Sequence, residues 1–325
     1  MRDQDSARIK VVTPGWLTTV QDLGRCGFRQ YGMPVSGAMD RRSLIIGNRI
    51  AGNRDQEAAL EITLNGPVLL FENDAVIVVT GGDLSPRIDG VDMPLWTSVL
   101  VKAGSILSWG PRRAGGRCYL ALSGGIDVPR VLGSRSTHLA SQTGGVAGRV
   151  IKTGDVVMGG IPTLPIGKFV GRSLPKPLRP VYRNAVTLRI VSGPQRHSLS
   201  SRTLALLTTT HYQLSSQSDR MGYRLLGARL AVARMEHHIS DGTVMGGLQV
   251  PENEQPILLM ADCHTTGGYP MVAVVISADL HLAGQLLPGD TIQFRTTTLI
   301  DAQAFLVAQC KALDRALPAS GAPSS

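Results

Sequence analysis

The sequence predicts a mainly β protein made of two related β-rich domains, each a barrel or a sandwich with a few short helices. Its 37 glycines and 19 prolines are many for a helical bundle, and they favour short strands joined by tight turns. Its 325 residues exceed what a single hydrophobic core usually serves. Motifs of the first half also recur in the second half, which indicates a duplication.

Short apolar runs bounded by Gly, Pro, Asn or Asp predict strands in both halves of the chain. The predicted strands cover residues 75–80, 105–109, 118–122, 187–191, 256–260, 271–277 and 291–294. These runs have the length of ordinary strands and are far too short to span a bilayer. We therefore expect no membrane helix.

Two helices are predicted, one near each end of the chain. Asp40 can accept the first backbone N–H bonds of a helix that runs to about Ala51, where Gly52 is a stop signal. A second, amphipathic helix is predicted at the C-terminus, after a possible N-cap at Asp301. Its apolar side is marked by Leu306, Cys310, Leu313 and Leu317.

A proline-rich stretch near the middle of the chain predicts the boundary between the domains. Prolines cluster between residues 161 and 180, where they block both helix and central strand. We predict an N-terminal domain over residues 1–165, a linker over residues 166–182, and a C-terminal domain with a terminal helix over residues 183–325.

Three motif pairs in the same order support the duplication. The eight residues from Arg25 to Gly32 and from Arg220 to Gly227 share the pattern Arg-x-Gly-aromatic-Arg-x-x-Gly. The other pairs are Thr80-Gly81-Gly82 with Thr266-Gly267-Gly268, and Ala103-Gly104-Ser105 with Pro288-Gly289-Asp290. Glycine-rich turns also recur by chance in β proteins, so the longer pattern is the one that favours duplication.

The charge and the aromatic content argue against nucleic-acid binding. Lys and Arg total 33 against 24 Asp and Glu, a net charge of +9, but the basic residues are scattered. Only 5 Phe, 6 Tyr and 3 Trp are present to stack on bases. The excess of arginine instead suits carboxylate or phosphate ligands, ion pairs or an acidic partner protein.

The cysteines and the first residues indicate a cytoplasmic protein. The four cysteines are isolated from one another, which is typical of reduced thiols in the cytosol. The N-terminus is polar and acidic where an export signal needs a basic start and an apolar block.

Several catalytic signatures are missing. The sequence has no Gly-x-x-x-x-Gly-Lys-Ser/Thr loop, no Gly-x-Ser-x-Gly elbow, no His-Glu-x-x-His motif and no Met-Lys-Met segment that could accept biotin. Asp262 and His264 could offer two metal ligands on one face of a strand, but no third ligand is visible, so a hydrogen-bonded Asp–His pair is favoured and no metal is expected.

Two arginine-containing loops are candidates for binding an anion. Each sets two guanidinium groups beside glycines, a pairing that suits a carboxylate, carbamate or phosphate. The alternative is structural, because Asp22 and Asp219 are near enough in sequence to form ion pairs. These arginines are Arg25 and Arg29 in the first half, and Arg220 and Arg224 in the second.

The loop over residues 262–270 is the second candidate, because it joins two predicted strands. Backbone N–H groups at Gly267 and Gly268, the hydroxyl of Thr266 and the ionisable Asp262 and His264 would together form an oxyanion pocket with an acid or base. The alternative is a plain hairpin whose glycines only permit positive φ.

Many long strings identify the chain as similar to a known family. They include Thr18-Thr19-Val20-Gln21-Asp22-Leu23-Gly24-Arg25, Pro34-Val35-Ser36-Gly37-Ala38-Met39-Asp40 and Thr265-Thr266-Gly267-Gly268-Tyr269-Pro270. Further strings are residues 12–15, 59–63, 124–129, 132–137, 217–224 and 240–242. They resemble the family of the 5-oxoprolinase C subunit, also called allophanate hydrolase subunit 2, which includes the carboxyltransferase domain of urea amidolyase. The match covers about residues 9–294.

The resemblance implies two tandem cyclophilin-like β-barrel domains with the active site between them. It also implies the family's B subunit as a partner, for 5-oxoprolinase an A subunit as well, and a small amide or lactam substrate. In the 5-oxoprolinase setting the complex opens 5-oxoproline to glutamate and hydrolyses ATP. In the urea amidolyase setting the domain transfers a carboxyl group from carboxybiotin to urea, so biotin enters only under that alternative.

The resemblance also implies a set of site residues, among which the acid, base and nucleophile stay open. The implied catalytic residues are Asp40, Glu61, Asp241, Asp262 and His264. The implied substrate-binding residues are Gln21, Arg25, Ser36, Gln217, Asp219, Arg220, Gln249, Thr266, Gly267, Gly268 and Tyr269. One departure is Cys263-His264, where the family usually has Arg-Gln, and this puts the substrate in question more than the family.

Three functions follow from these observations. The first is the C subunit of an ATP-dependent 5-oxoprolinase that is inactive without its partners. The second is a carboxyltransferase component that acts on urea or allophanate-type amides with a separate biotin carrier. The third is a non-catalytic regulator or antagonist of its partner protein, since a basic protein suits an acidic partner.

Overall fold

The computed structural model describes residues 6–232 and 240–319, and these form two compact units. The first unit contains residues 6–25, 36–182 and 311–319, and the second contains residues 26–35, 183–232 and 240–310. The helices are α1 (Arg41–Ile50), α2 (Ser201–Thr209), α3 (Leu280–Ala283) and α4 (Leu299–Ala316). None of the described helices is long and apolar enough to cross a membrane.

The first unit is built from two antiparallel sheets. Its strands are β1 (Arg8–Thr13), β2 (Leu17–Gln21), β3 (Ala59–Thr63), β4 (Val68–Phe71), β5 (Ala75–Asp83), β6 (Pro86–Ile88), β7 (Val91–Asp92), β8 (Ser98–Val101), β9 (Ile106–Trp109), β10 (Ala114–Leu122) and β11 (Val156–Met158). One sheet has the order β11-β1-β4-β9-β6-β7, and the other has the order β2-β3-β10-β5-β8. Both contribute to one core, in which Ile9 and Phe71 of the first sheet and Leu120 of the second are buried.

Strand alternation gives the second sheet of this unit two buried faces. Along β10, Leu120 faces the core between the sheets, while its neighbours Tyr119 and Ala121 belong to another cluster with Leu44 and Ile50 of α1. Helix α1 therefore covers the outer face of this sheet. Its predicted start is confirmed, because the Asp40 carboxylate accepts the backbone N–H of Ser43 at 2.9 Å.

The second unit is a closed barrel of seven strands. Its strands, with one additional pair, are β12 (Ala185–Ser192), β13 (His211–Leu214), β14 (Gly222–Leu226), β15 (Asp241–Gly242), β16 (Gly247–Gln249), β17 (Ile257–Leu259), β18 (Thr266–Gly267), β19 (Met271–Val275) and β20 (Thr291–Thr296). The barrel order is β12-β19-β16-β17-β14-β13-β20, with β12 and β20 parallel and the other pairs antiparallel. Strands β15 and β18 form a separate two-stranded sheet. Because the sheet closes on itself, the barrel has no edge strand with unpaired backbone groups.

The mainly β fold class is confirmed, and each of the seven predicted strands overlaps an observed one. The C-terminal helix is also confirmed, but Asp301 does not cap it. Thr298 precedes the helix, and its hydroxyl oxygen accepts the backbone N–H of Asp301 at 3.1 Å, so the cap lies three residues earlier. Of the predicted apolar side, Leu317 is buried and Leu313 is partly buried, whereas Leu306 and Cys310 are exposed.

Three segments are assigned to units in a way that the linear division did not anticipate. Residues 166–182, predicted as a linker, belong to the first unit and hydrogen-bond to it, as the backbone N–H of Leu174 does to the carbonyl of Trp96 at 3.0 Å. Residues 311–319 also belong to the first unit. The segment Cys26–Val35 belongs to the second unit, although both its flanks belong to the first.

One motif pair of the proposed duplication has the same geometry in both units. Gly104 and Gly289 both adopt the left-handed conformation, with φ of 87° and 92°, and each comes shortly before a strand, β9 or β20. The Thr80 and Thr266 motifs differ, because Thr80 continues β5 whereas Thr266 begins β18.

Candidate functional site

A pocket of about 390 Å³ lies in the second unit. This volume is at the small end of the range of roughly 300–1,000 Å³ that is usual for ligand sites. The lining residues are Thr243, Gln249, Leu259, His264, Thr266, Gly267, Gly268 and Tyr269. Five of these residues, from His264 to Tyr269, come from the predicted loop over residues 262–270, so the structure brings that loop to a pocket.

The β15–β18 sheet fixes one wall of the pocket. Asp241 lies opposite Gly267, and Gly242 lies opposite Thr266. Just beyond this ladder the backbone N–H of Thr243 donates to the carbonyl of Thr265 at 3.1 Å. The hydroxyl of Thr243, which is buried, donates to the carbonyl of His264. These bonds join two loops that are about 20 residues apart in sequence. One bond is between backbone groups and the other is from a side chain to the backbone, so both kinds of group hold the pocket wall.

The amide of Gln249 enters the pocket from strand β16. The register of β16 against β19 shifts between Leu248 and Gln249, and a shift of this kind redirects the side chain that follows it. Gln249 is buried, and its Nε2 donates to the carbonyl of Tyr269 at 3.3 Å. A Cβ atom on Gly267 would lie 2.7 Å from this Nε2, so only glycine lets the loop approach the amide this closely.

A buried ion pair stands at the start of the same loop. Arg220 donates from Nε to Oδ2 of Asp262 at 2.8 Å and from Nη2 to Oδ1 at 3.2 Å. The backbone N–H of Asp262 also donates to the carbonyl of Arg220 at 2.8 Å. The partner of the Asp262 carboxylate is thus Arg220, and the predicted hydrogen bond between Asp262 and His264 is not found among the described residues. Asp262 and Cys263 lie in a turn and not on a strand, and His264 is exposed and lines the pocket.

The other implied residues of the second unit are exposed and are not among the described residues that line the pocket: Gln217 and Asp219 lie before strand β14, and Asp241 begins β15. Asp219 accepts the backbone N–H of Met221 at 2.8 Å, which is a turn-stabilising bond. Asp241 accepts a bond from Nε2 of Gln195 at 3.2 Å. Gln217 donates its backbone N–H to the hydroxyl of Ser215. Their implied roles stay predictions.

Asp40 and Glu61 belong to one buried network in the first unit. Both carboxylates are almost fully buried. Glu61 accepts bonds from the hydroxyl of Tyr119 at 2.7 Å and from the backbone N–H of Met39 at 2.8 Å. Asp40 accepts bonds from the hydroxyl of Tyr182 at 2.8 Å and from Ser43. Burial raises the pKa of both tyrosines; the charges of Glu61 and Asp40 raise the pKa of Tyr119 further, and the charge of Asp40 raises that of Tyr182.

Gln21, Arg25 and Ser36 are also fully buried in the first unit. Arg25 donates to the carbonyl of Ser136, and Gln21 donates from Nε2 to the carbonyl of Thr137 at 3.1 Å. Ser36 has a φ of 57°, an uncommon value for a residue with a side chain. Its hydroxyl, like Oε1 of Gln21, has no hydrogen-bond partner among the described residues. These residues are near one another in the chain, and their implied contact with substrate stays a prediction.

Thr243 and Leu259 line the pocket but were not predicted. Thr243 directly follows the Ser240-Asp241-Gly242 string, and Leu259 lies within the predicted strand 256–260, so both positions are consistent with a purely structural role in the sequence. Among the described residues, no group of three or more His, Cys, Asp or Glu side chains could hold a metal ion.

The pocket combines hydrogen-bonding groups with two titratable side chains, those of His264 and Tyr269. The Gln249 amide can both donate and accept hydrogen bonds, and the Thr266 hydroxyl can do the same. Such a set suits a small polar molecule with a carbonyl group. Burial raises the pKa of the nearby Cys263 thiol, and the charge of Arg29 partly opposes this, so the thiol stays protonated at neutral pH.

Comparison with known proteins identifies the family of the chain. The model of the carboxyltransferase domain, subdomain A and B, matches residues 31–296, and the chain belongs to that family. It is 40% identical over 296 residues to the 5-oxoprolinase C subunit of Escherichia coli, an alignment that covers 90% of this chain and 93% of that protein. It is 36% identical over 284 residues to the 5-oxoprolinase C subunit of Haemophilus influenzae, which covers 87% of this chain and 89% of that protein.

Longer proteins contain a similar region. Urea amidolyase of Saccharomyces cerevisiae is 35% identical over 302 residues, which are 88% of this chain and 16% of that protein. The crystal structure of the K. lactis urea amidolyase superposes with a TM-score of 0.90 at 34% identity, and covers 99% of this chain and 21% of that chain. The expected family and the expected relation to urea amidolyase are thus confirmed.

Proposed function

We propose that this chain is the C subunit of an ATP-dependent 5-oxoprolinase, which hydrolyses 5-oxoproline to glutamate together with partner subunits. The observation that carries the proposal is the similarity to 5-oxoprolinase C subunits. The chain is 40% identical over 296 residues to the E. coli C subunit, against 35% over 302 residues to the yeast urea amidolyase. The alignment also covers 93% of the E. coli subunit, so nearly all of that relative has a counterpart in this chain.

The pocket supports a lactam as the substrate. A lactam carries a carbonyl that accepts hydrogen bonds and an N–H that donates one, and Gln249 and Thr266 supply matching groups. Attack of water on the carbonyl carbon develops negative charge on the carbonyl oxygen, which N–H and hydroxyl donors of the Thr266–Gly267 strand would stabilise. When the C–N bond breaks, the ring nitrogen gains the proton that the attacking water loses.

This pocket offers few ligands to ATP. A triphosphate is normally held by several cations or by Mg²⁺, whereas no lysine or arginine is among the described residues that line the pocket, and Arg29 contacts its wall at Thr243. We propose that the nucleotide is bound by residues of the B and A subunits. The same division of labour makes this chain inactive without its partners.

A carboxyltransferase acting on urea or allophanate-type amides is the second candidate. The family description and the TM-score of 0.90 to a urea carboxylase from Kluyveromyces lactis favour it. Under this alternative the carboxyl group would arrive on biotin attached to a separate carrier. The planar amide of urea would meet the same Gln249 and Thr266 groups.

Reconstitution with the partner A and B subunits tests the proposal. We expect glutamate and ADP to form from 5-oxoproline and ATP only when all three proteins are present. Gln249→Leu should lower the rate at least tenfold, whereas the matched change Gln303→Leu, on an exposed position of α4, should leave it unchanged. Absence of glutamate, together with urea-dependent decarboxylation of carboxybiotin, would favour the second candidate instead.

A further inference from the structure

Arg29 brings a positive charge to the pocket of the second unit. It opens a short 3-10 helix, Arg29–Tyr31, in the segment Cys26–Val35. Its Nη2 donates to the carbonyls of Thr243 and Thr265, the latter at 3.1 Å, and lies 3.4 Å from the Thr243 hydroxyl. Because Thr243 lines the pocket, the guanidinium is in direct contact with the pocket wall.

The charge of Arg29 is not neutralised within the part of the chain that the structure describes. Two other arginines of this unit pair with carboxylates, Arg220 with Asp262 and Arg189 with Asp279. Arg29 forms no ion pair with a described Asp or Glu, and its bonds to oxygen go to two carbonyls and a hydroxyl. Those groups are dipoles, which satisfy N–H bonds but leave a full positive charge.

The hydrogen bonds of Arg29 leave part of its guanidinium available to an anion. Its bonds to oxygen all come from Nη2, so Nε and Nη1 donate to no oxygen atom of the described residues. The Cys263 thiol is a further hydrogen-bond partner of the guanidinium, so part of the remaining N–H groups is left for an anion. The side chain is half-buried, so its charge is less screened than that of a surface arginine. This charge already acts on the neighbouring thiol of Cys263, whose pKa it lowers against the effect of burial.

We propose that Arg29 holds the carboxylate of the small molecule that binds in the pocket, at the edge formed by Thr243. Two carbonyl bonds fix the guanidinium in place, and its remaining N–H groups meet the anion. The inference rests on the proposed function for its first ligand, since 5-oxoproline carries a carboxylate beside its lactam. A one-carbon carboxylate, such as bicarbonate, presents the same chemistry under the carboxyltransferase alternative.

Binding to the full chain, alone and with its partner subunits, tests this inference by calorimetry. The probes are 5-oxoproline, the neutral lactam 2-pyrrolidinone, which lacks the carboxylate, and bicarbonate. The variants are Arg29→Gln, Arg29→Lys and the matched control Arg202→Gln, an exposed position on α2. We expect the wild type to prefer 5-oxoproline over 2-pyrrolidinone at least tenfold, and Arg29→Gln to lose that preference while it still binds 2-pyrrolidinone.

The variants distinguish a carboxylate contact from a structural role. Arg29→Lys, which keeps the charge, should restore part of the preference, and Arg202→Gln should retain it fully. Retention of the preference by Arg29→Gln, or an equal loss of both lactams, would overturn the inference. If the wild type binds bicarbonate through Arg29 but neither lactam, the 5-oxoproline function fails and the inference stands. If it binds no anion at all, the inference fails too.

Discussion

Arg220 and Asp262 form a buried two-point ion pair, with Nε 2.8 Å from Oδ2 and Nη2 3.2 Å from Oδ1. Removal of one partner of such a pair leaves an uncompensated charge in a poorly solvated site. We expect Asp262→Leu to lower the free energy of unfolding by about 3–5 kcal/mol. The measurement is the urea-induced unfolding transition of the second unit.

Two further variants show whether the pair explains that loss. Arg220→Met combined with Asp262→Leu should recover much of the stability, because no charge then stays buried. Asp92→Leu, which breaks the exposed pairs of Asp92 with Arg87 and Arg113, should cost much less, because water screens charges at the surface. Equal costs at the buried and exposed pairs would contradict the interpretation.

Gly267→Ala should impair function more than stability. The added Cβ would lie 2.7 Å from Nε2 of Gln249, at the free end of a flexible side chain, so the amide can move and the fold can persist. We expect at least a tenfold loss of lactam binding or turnover in the reconstituted complex, with a melting temperature close to that of the wild type. Gly242→Ala, on the opposite strand, is the control, since a Cβ there meets nothing within 4 Å. Full activity of Gly267→Ala would mean that Gln249 does not position the substrate.

His264→Gln should keep or raise activity if the chemistry of the family persists in this chain. The family resemblance predicts Gln at this position, and the structure places His264 at the pocket, with its side chain exposed. Glutamate release by the reconstituted complex is the measurement, with circular dichroism to verify the fold. Loss of activity in a folded variant would instead give His264 a catalytic role of its own.

Asp40→Ala should destabilise the first unit, because it removes the N-cap of α1. The carboxylate also accepts bonds from Ser43 and Tyr182, so we expect a loss of at least about 1–2 kcal/mol in the free energy of unfolding. Asp40→Asn should lose less, since Asn is also a good N-cap. Turnover of the folded Asp40→Asn variant then tests the implied catalytic role, because an amide cannot act as a base. Unchanged stability of Asp40→Ala would contradict the capping role.

The buried thiol of Cys118 should make stability fall as the pH rises. Burial raises its pKa from 9.0 to about 12, so the folded state keeps the proton that the unfolded state loses. The contribution is fully present below pH 9 and is lost as the pH rises toward 12. We expect the melting temperature to fall less steeply between about pH 9 and 11 in Cys118→Ala than in Cys310→Ala, whose cysteine is exposed. Parallel curves for the two variants would contradict this assignment.

Local signals predicted the elements that depend on neighbouring residues. Asp40 sits where a helix begins, and an acceptor at that place bonds to a backbone N–H three residues later. Apolar runs between turn residues predicted strands such as β5 and β19. The loop over residues 262–270 was identified for the same reason, since its glycines and polar residues follow one strand and precede another. The start of α4 shows the limit of such local signals. Thr and Asp are both good N-cap residues, so the sequence alone does not decide between Thr298 and Asp301.

The sequence by itself determined the family, the mainly β class and the loop that carries most of the pocket. Only the tertiary structure decided which distant groups meet that loop. Asp262 pairs with Arg220, 42 residues away, and not with the nearby His264. Arg29 reaches Thr243 across 214 residues of sequence. The physical reason is that helix caps and turns form between residues a few positions apart, whereas the partner of a buried charge depends on which strands the barrel places side by side.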